Sequence, residues 1–137
     1  EEGLPAPCFA MLVYPVLDAR MQTPSMQAFS DTPIWNARLT KKMWHFYLQG
    51  RSYRSPAVWD DLRMFPPTYL ETAELDCLRD EGAAFAKRLQ DGGIPVLLNE
   101  TRGTMHGYDI VRRSPITQEN LAKRIAALRA AFAYEGK

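Results

Sequence analysis

Two residues of this sequence have the side-chain types that an acid–base pair requires. Asp76 follows an apolar segment closely, and His106 lies in a loop after the next apolar segment. A carboxylate that accepts the Nδ1 proton of an imidazole leaves Nε2 free to act as a general base towards a nucleophile. From residue types alone, an aspartate and a histidine on neighbouring loops are more often a structural pair or unrelated.

Three short apolar segments predict the strands that would position these two residues, at 8–14, 68–74 and 96–101. The first is apolar at every position, which is typical of a strand buried on both faces of a parallel sheet. Asp76 follows the second predicted strand and His106 follows the third. Because the carboxyl ends of parallel strands meet at one edge of a sheet, we expect the two side chains to lie close together.

Two helices are predicted beside these strands. Asp80 is expected to cap a helix that ends at Gly92, and strand–helix–strand units of this kind are almost always right-handed parallel crossovers. Thr117 is expected to cap a last helix whose apolar stripe packs on the sheet. That stripe consists of Leu121, Ile125, Leu128 and Phe132. The fold class is therefore α/β, with three parallel strands and flanking helices.

A long excursion, 18–65, separates the first two strands and contains a predicted helix from about Thr40 to Leu48 that Gly50 ends. It leaves the sheet on the side where α/β proteins bind ligands, so we expect it to form part of a lid. Its aromatic residues are typical of packing, and Trp44 is the candidate among them for substrate contact.

Composition excludes several classes of function. The net charge is +1, with both signs interspersed, which argues against a nucleic-acid partner. The longest apolar run, 8–17, is far shorter than the roughly 20 residues of a membrane-spanning helix. Cys8 and Cys77 form neither a disulfide framework nor a metal site, and the chain has no basic leader segment, so a cytoplasmic location is expected.

Three motifs carry a family resemblance: YPVLDAR, ETAELDCLRDEG and NETRGTMHGYD. In this order and spacing they resemble the C-terminal half of the hormone-sensitive-lipase-like family of esterases, over nearly the whole chain. The resemblance implies that 1–137 is the C-terminal part of one α/β-hydrolase domain, with Asp76 as triad acid and His106 as general base. In α/β-hydrolases the triad residues follow one another along the chain as serine, acid and histidine, and the order of Asp76 and His106 agrees with this.

The sequence departs from the family in two places. Cys77 stands where a proline usually follows the acid, and we interpret it as a tolerated small residue. No G-x-S-x-G elbow or H-G-G-G oxyanion segment is present, and no serine has the required glycine context. The serines are Ser25, Ser30, Ser52, Ser55 and Ser114. We therefore expect an upstream half to complete the sheet and supply the nucleophile, and we expect 1–137 alone to be inactive.

The resemblance implies a carboxylic ester hydrolase acting on small-molecule esters, without a metal or organic cofactor. Tyr108, next to the histidine loop, is a second candidate for substrate contact. The resemblance also implies a homodimer, whose interface would involve 96–101 and could include the helix from Thr117. Two alternatives remain: a non-catalytic binding protein of the same fold, like the plant gibberellin receptors that have lost the histidine, and a fragment that acts by associating with a partner chain.

Overall fold

The fold is built on a parallel sheet of three strands in the order β1-β2-β3. The computed structural model describes residues 6–133. The strands are β1 at Ala10–Val13, β2 at Thr68–Ala73 and β3 at Val96–Thr101. The predicted α/β class and the parallel pairing are confirmed, and Val13, Glu71 and Asn99 lie side by side in register across the sheet.

Four helices accompany the sheet in the part of the chain that is described. They are α1 at Pro24–Ala28, α2 at Ala37–Leu48, α3 at Arg79–Asp91 and α4 at Pro115–Phe132, with short 3-10 turns at Pro56–Val58 and Tyr108–Ile110. The excursion contains α1, α2 and the first turn, and α3 is the crossover from β2 to β3. None of these four helices is long and apolar enough to span a membrane.

The core is centred on β2, all of whose residues are buried. Phe85, Ala86 and Leu89 of α3 pack over Leu70, and each large apolar side chain buried in this way contributes roughly 1.5–3 kcal/mol. Gly82 allows the close approach of α3, since a Cβ there would lie 2.8 Å from Cγ2 of Thr72. The α3 crossover thus fixes the end of β2 from which Asp76 emerges.

The first strand differs from the sequence prediction. It is shorter than 8–14, its residues are half-buried, and Cys8 is exposed. Within residues 6–133, β1 pairs with β2 on one side only. A strand that is apolar at every position is typically flanked by strands on both sides, and the described residues provide no second neighbour for β1.

Two helices begin at residues other than those predicted. In α2 the side chain of Asn36 accepts the N–H of Leu39, so the helix begins before Thr40, and Gln49 adopts the left-handed conformation that ends it. The predicted Asp80 cap of α3 is wrong. The carboxylate of Asp80 instead accepts the N–H of Ser25 at 2.7 Å, because the excursion packs on the start of α3.

The predicted orientation of α4 is also wrong. The helix begins at Pro115, so Thr117 lies inside it and is not its cap. The apolar stripe does not pack on the sheet, since Leu121, Ile125 and Phe132 are exposed. The most buried residues of α4 are polar instead, namely Thr117, Asn120 and Arg124, while Ile116 packs against Tyr14 and Tyr108. Polar groups on β2 and β3 explain this, because Glu71 and Asn99 require hydrogen-bonding partners in the helix above them.

Candidate active site

Asp76 and His106 meet at the carboxyl ends of β2 and β3. Oδ2 of Asp76 and Nδ1 of His106 are 2.8 Å apart. The Asp76 side chain is 1% exposed and that of His106 is 21% exposed. The second carboxylate oxygen, Oδ1, accepts the N–H of Leu78 at 3.0 Å, which fixes the plane of the acid. The carboxylate engages Nδ1, so Nε2 is the nitrogen that can take a proton from a nucleophile.

Short backbone contacts hold the two loops together. The N–H of Leu75 donates to the carbonyl of Thr104, and the N–H of Gly103 donates to the carboxylate of Glu74 at 2.6 Å. Gly107 follows the histidine with a φ of 71°, and a Cβ there would lie 3.4 Å from Ile34 of the excursion. A glycine therefore suits this position both for its backbone conformation and for the space available.

Two aromatic rings contact the imidazole of His106. The ring of Trp35, from the excursion, is stacked on it with centroids 5.6 Å apart and planes 28° apart. The ring of Tyr14, which directly follows β1, lies 5.0 Å from it at 51°. Sequence reasoning did not single out either residue as part of the site. The signals that could have found them were the abundance of aromatics in the excursion, for Trp35, and the motif YPVLDAR, which begins at Tyr14.

The two candidate substrate-contact residues have other neighbours in the described chain. Trp44 is 6% exposed on α2, and its ring packs with Tyr47 and Tyr53. The hydroxyl of Tyr108 donates to Oε1 of Glu71 at 2.8 Å. The structure thus brings together Asp76 and His106, while Trp44 lies in a separate aromatic group and Tyr108 belongs to a buried polar cluster.

Glu71 is the centre of that cluster and has no exposed surface. It accepts hydrogen bonds from the hydroxyls of Tyr69 and Tyr108 and pairs with Arg124 at 2.7 Å. Burial alone would raise the pKa of Glu71, but the bonds from Arg124, Tyr69 and Tyr108 outweigh it and lower the pKa. Burial raises the pKa of Tyr108 to about 12. Glu71 is thus a fully hydrogen-bonded carboxylate within the strand.

A second buried junction ties the excursion to the turn that carries Asp76. Oγ of Ser25 donates to the carbonyl of Cys77 at 2.9 Å and accepts the N–H of Asp80 at 3.1 Å. Sγ of Cys77 lies 3.6 Å from Oγ1 of Thr40 on α2. Burial raises the pKa of the Cys77 thiol to about 12, so the thiol is neutral and suits its packed position. Ser25 and Cys77 are therefore structural here.

Glu81 is a buried carboxylate near the base of the excursion. Its Oε1 accepts the N–H of Leu17 at 2.6 Å, and burial raises its pKa from 4.5 to about 7. Between these pH values the folded protein holds a proton that the unfolded chain has released. The free energy of unfolding should therefore fall as pH rises through this window and level off above it.

We expect Glu81→Gln to abolish this decline, which is on the order of 3 kcal/mol, because glutamine keeps the acceptor oxygen and cannot ionise. Urea unfolding of the wild type and the variant, at pH values on either side of the window, measures the difference. Glu119→Gln, on an exposed ion pair of α4, is the matched control. An identical pH dependence in Glu81→Gln and the wild type would contradict the expectation.

A parallel sheet with a crossover helix, and an aspartate and a histidine hydrogen-bonded at neighbouring strand ends with the acid first in the chain, agree with the α/β-hydrolase class. Residues 1–110 match the family model described as the alpha/beta hydrolase fold. The chain belongs to this family, and its esterase relatives confirm the hormone-sensitive-lipase-like resemblance.

Similar proteins include esterases. Carboxylesterase NlhH of Mycobacterium tuberculosis is 30% identical over 141 residues, covering 96% of this chain and 44% of that protein. The solved structure of a bacterial heroin esterase has 38% identity and a TM-score of 0.84, covering 90% of this chain and 42% of that one. Esterase LipW of Mycobacterium marinum has 31% identity and a TM-score of 0.88, covering 91% and 41%. The chain thus spans less than half the length of these relatives.

Proposed function

We propose that this chain supplies the acid and the base of a serine-dependent carboxylic ester hydrolase. The observation that carries the proposal is the 2.8 Å contact between Asp76 and His106, in which the acid is buried and the imidazole is partly exposed. The esterase relatives named above support the reaction class. Small esters of carboxylic acids are the proposed substrates.

The proposed mechanism follows from the roles of the two side chains. His106 takes the proton of a serine hydroxyl through Nε2 as that oxygen attacks the acyl carbon. The imidazolium that forms is stabilised by the Asp76 carboxylate and then delivers the proton to the leaving alcohol. In the second half of the reaction His106 activates water, which releases the carboxylic acid and restores the serine.

The nucleophile is proposed to come from outside residues 1–137. Ser25 is fully buried and bonded to Cys77 and Asp80, and Ser55 is buried with its Oγ accepting the N–H of Ala19. Neither arrangement resembles a nucleophile at an exposed strand-to-helix elbow. Without a serine and its oxyanion donors, the Asp–His pair of residues 1–137 alone is expected to hydrolyse esters negligibly.

A fluorophosphonate probe tests this assignment in the full-length gene product. The probe phosphonylates serines that a general base activates, and peptide mapping by mass spectrometry locates the adduct. We expect a single adduct on a serine outside residues 1–137, lost in His106→Ala. An adduct on any of the five serines of this chain would contradict the assignment. The absence of any adduct would favour a non-catalytic binding protein of the same fold.

Three further features of the whole protein belong to the proposal. Residues 18–65 form part of a lid over the site, which the stacking of Trp35 on His106 supports. An upstream half completes the sheet beside the half-buried β1. A homodimer forms through β3 and α4, where Leu97, Leu121 and Ile125 expose apolar surface. The cytoplasmic location remains a prediction from the sequence.

A further inference from the structure

Arg124 of α4 joins three parts of the fold that surround His106. Its guanidinium donates to both carboxylate oxygens of Glu71 on β2, at 2.7 and 3.1 Å. It also donates to Asp109 at 2.6 Å and to the hydroxyl of Tyr14 at 2.9 Å. The side chain is 12% exposed, so it is fixed inside the fold rather than on its surface.

Tyr14 connects Arg124 to the imidazole. Its hydroxyl accepts from Arg124, its ring packs 5.0 Å from the ring of His106, and its N–H donates to the carbonyl of Glu71. Its φ is 49°, in the left-handed region that a bulky residue rarely adopts. Such a conformation persists only where the surrounding contacts hold it, and it is common at functional sites.

A second connection reaches the same loop from the other side. Asp109 and Tyr108 lie in the 3-10 turn that directly follows the histidine, and both bond to the Glu71–Arg124 pair. The rings of Tyr14 and Tyr108 also meet edge to face, with centroids 5.9 Å apart. One guanidinium thus holds the residue packed against the imidazole and the turn that follows it.

We propose that Arg124 is a positioning residue for His106, acting through Tyr14 to restrict the imidazole to the orientation in which Nδ1 faces Asp76. The proposal rests on the proposed function, since a fixed Nε2 serves a general base. An arginine needed only to neutralise Glu71 would require neither the Tyr14 nor the Asp109 contact. A lysine would keep the charge but not the fork of donors that reaches all three groups.

The variants Tyr14→Phe and Arg124→Lys test the proposal in the full-length gene product. Tyr14→Phe removes the bonded hydroxyl and keeps the ring, and Arg124→Lys keeps the charge. Arg129→Lys, on the exposed side of α4, is the matched control. For each folded variant, kcat and KM are measured with p-nitrophenyl acetate. We expect kcat to fall about tenfold with KM unchanged, because misplacement of a reacting group is costly.

A second readout does not depend on hydrolysis. The chain contains two histidines, and His45 is exposed on α2, so it serves as an internal reference. The ¹⁵N shifts of the imidazoles report which ring nitrogen carries the proton, and His106→Gln and His45→Gln assign the signals of these two residues among those of the full-length gene product. We expect His106 to be held as the Nδ1–H tautomer in the wild type and to populate the Nε2–H tautomer in both variants.

The two readouts separate failure of the proposal from failure of the proposed function. Unchanged kcat and unchanged His106 shifts in folded Tyr14→Phe would overturn the positioning role. If the wild type does not hydrolyse esters, the shifts alone decide, and a change in tautomer would still support the role of Arg124. If Arg124→Lys does not fold, Tyr14→Phe decides by itself.

Discussion

Replacement of His106 by alanine is expected to lower kcat/KM for p-nitrophenyl acetate by about 10⁴- to 10⁶-fold in the full-length gene product. Alanine cannot take the proton of the attacking serine, and no other histidine contacts Asp76 in the described chain. His106 is the side-chain partner of the buried Asp76 carboxylate, so its removal is also expected to lower the free energy of unfolding. Steady-state hydrolysis and thermal unfolding measure the two effects on the same preparation.

His45→Ala is the matched control for this prediction. His45 is the other histidine of the chain and lies exposed on α2, where its ring contacts Phe46. The His45→Ala variant should retain full activity. If His106→Ala kept activity within about tenfold of the wild type, well short of the loss expected for a general base, the base would have to be another residue.

Asp76→Asn is expected to lower kcat by about 10⁴-fold. The asparagine is nearly the same size, and its amide oxygen can still accept the N–H of Leu78, so the fold should be retained. Its NH₂ group, however, donates a hydrogen bond to Nδ1 where the carboxylate accepted one. The imidazole then carries its proton on Nε2, where it cannot accept the proton of the serine.

The control for this variant is Asp91→Asn, which breaks an exposed pair with Lys87 on α3. It should leave kcat unchanged. A folded Asp76→Asn protein that keeps more than about a tenth of wild-type kcat would show that Asp76 does not hold the imidazole in its active tautomer.

The sequence was sufficient to predict the parts of the fold that follow local patterns and chain topology. The third strand begins and ends as predicted, and the α3 crossover places β2 and β3 side by side in parallel. Once two parallel strands are neighbours, the residues after them meet at one edge. This is why the contact between Asp76 and His106 could be expected from topology, despite their distance in the sequence.

The surroundings of His106 could not be predicted in the same way. Trp35 reaches the imidazole because α1 and α2 fold back over the turn at Cys77, which no local pattern encodes. Tyr14 lies against it because a positive φ turns the chain at the end of β1. The Trp35 contact depends on the tertiary structure of the excursion, and the Tyr14 contact depends on hydrogen bonds to Arg124 and to the backbone of Glu71.

The errors in the helices have a similar origin. Apolar spacing in α4 predicts an apolar face towards the sheet, whereas Glu71 and Asn99 make that side of the sheet polar and bond to Asn120 and Arg124. Asp80 has the residue type of a helix cap, but its bond to Ser25 outcompetes that local role. Hydrogen bonds to residues distant in the sequence thus determine the orientation of α4 and the role of Asp80, although the apolar stripe and the helix cap were both plausible from the sequence alone.

The most direct test of the central claim is the hydrolysis of p-nitrophenyl acetate and butyrate by residues 1–137 alone, by the same chain together with an upstream half, and by the combination carrying His106→Ala. We predict activity only in the combination, and its loss in the variant. Activity in residues 1–137 alone, or activity of the combination that survives His106→Ala, would contradict the account.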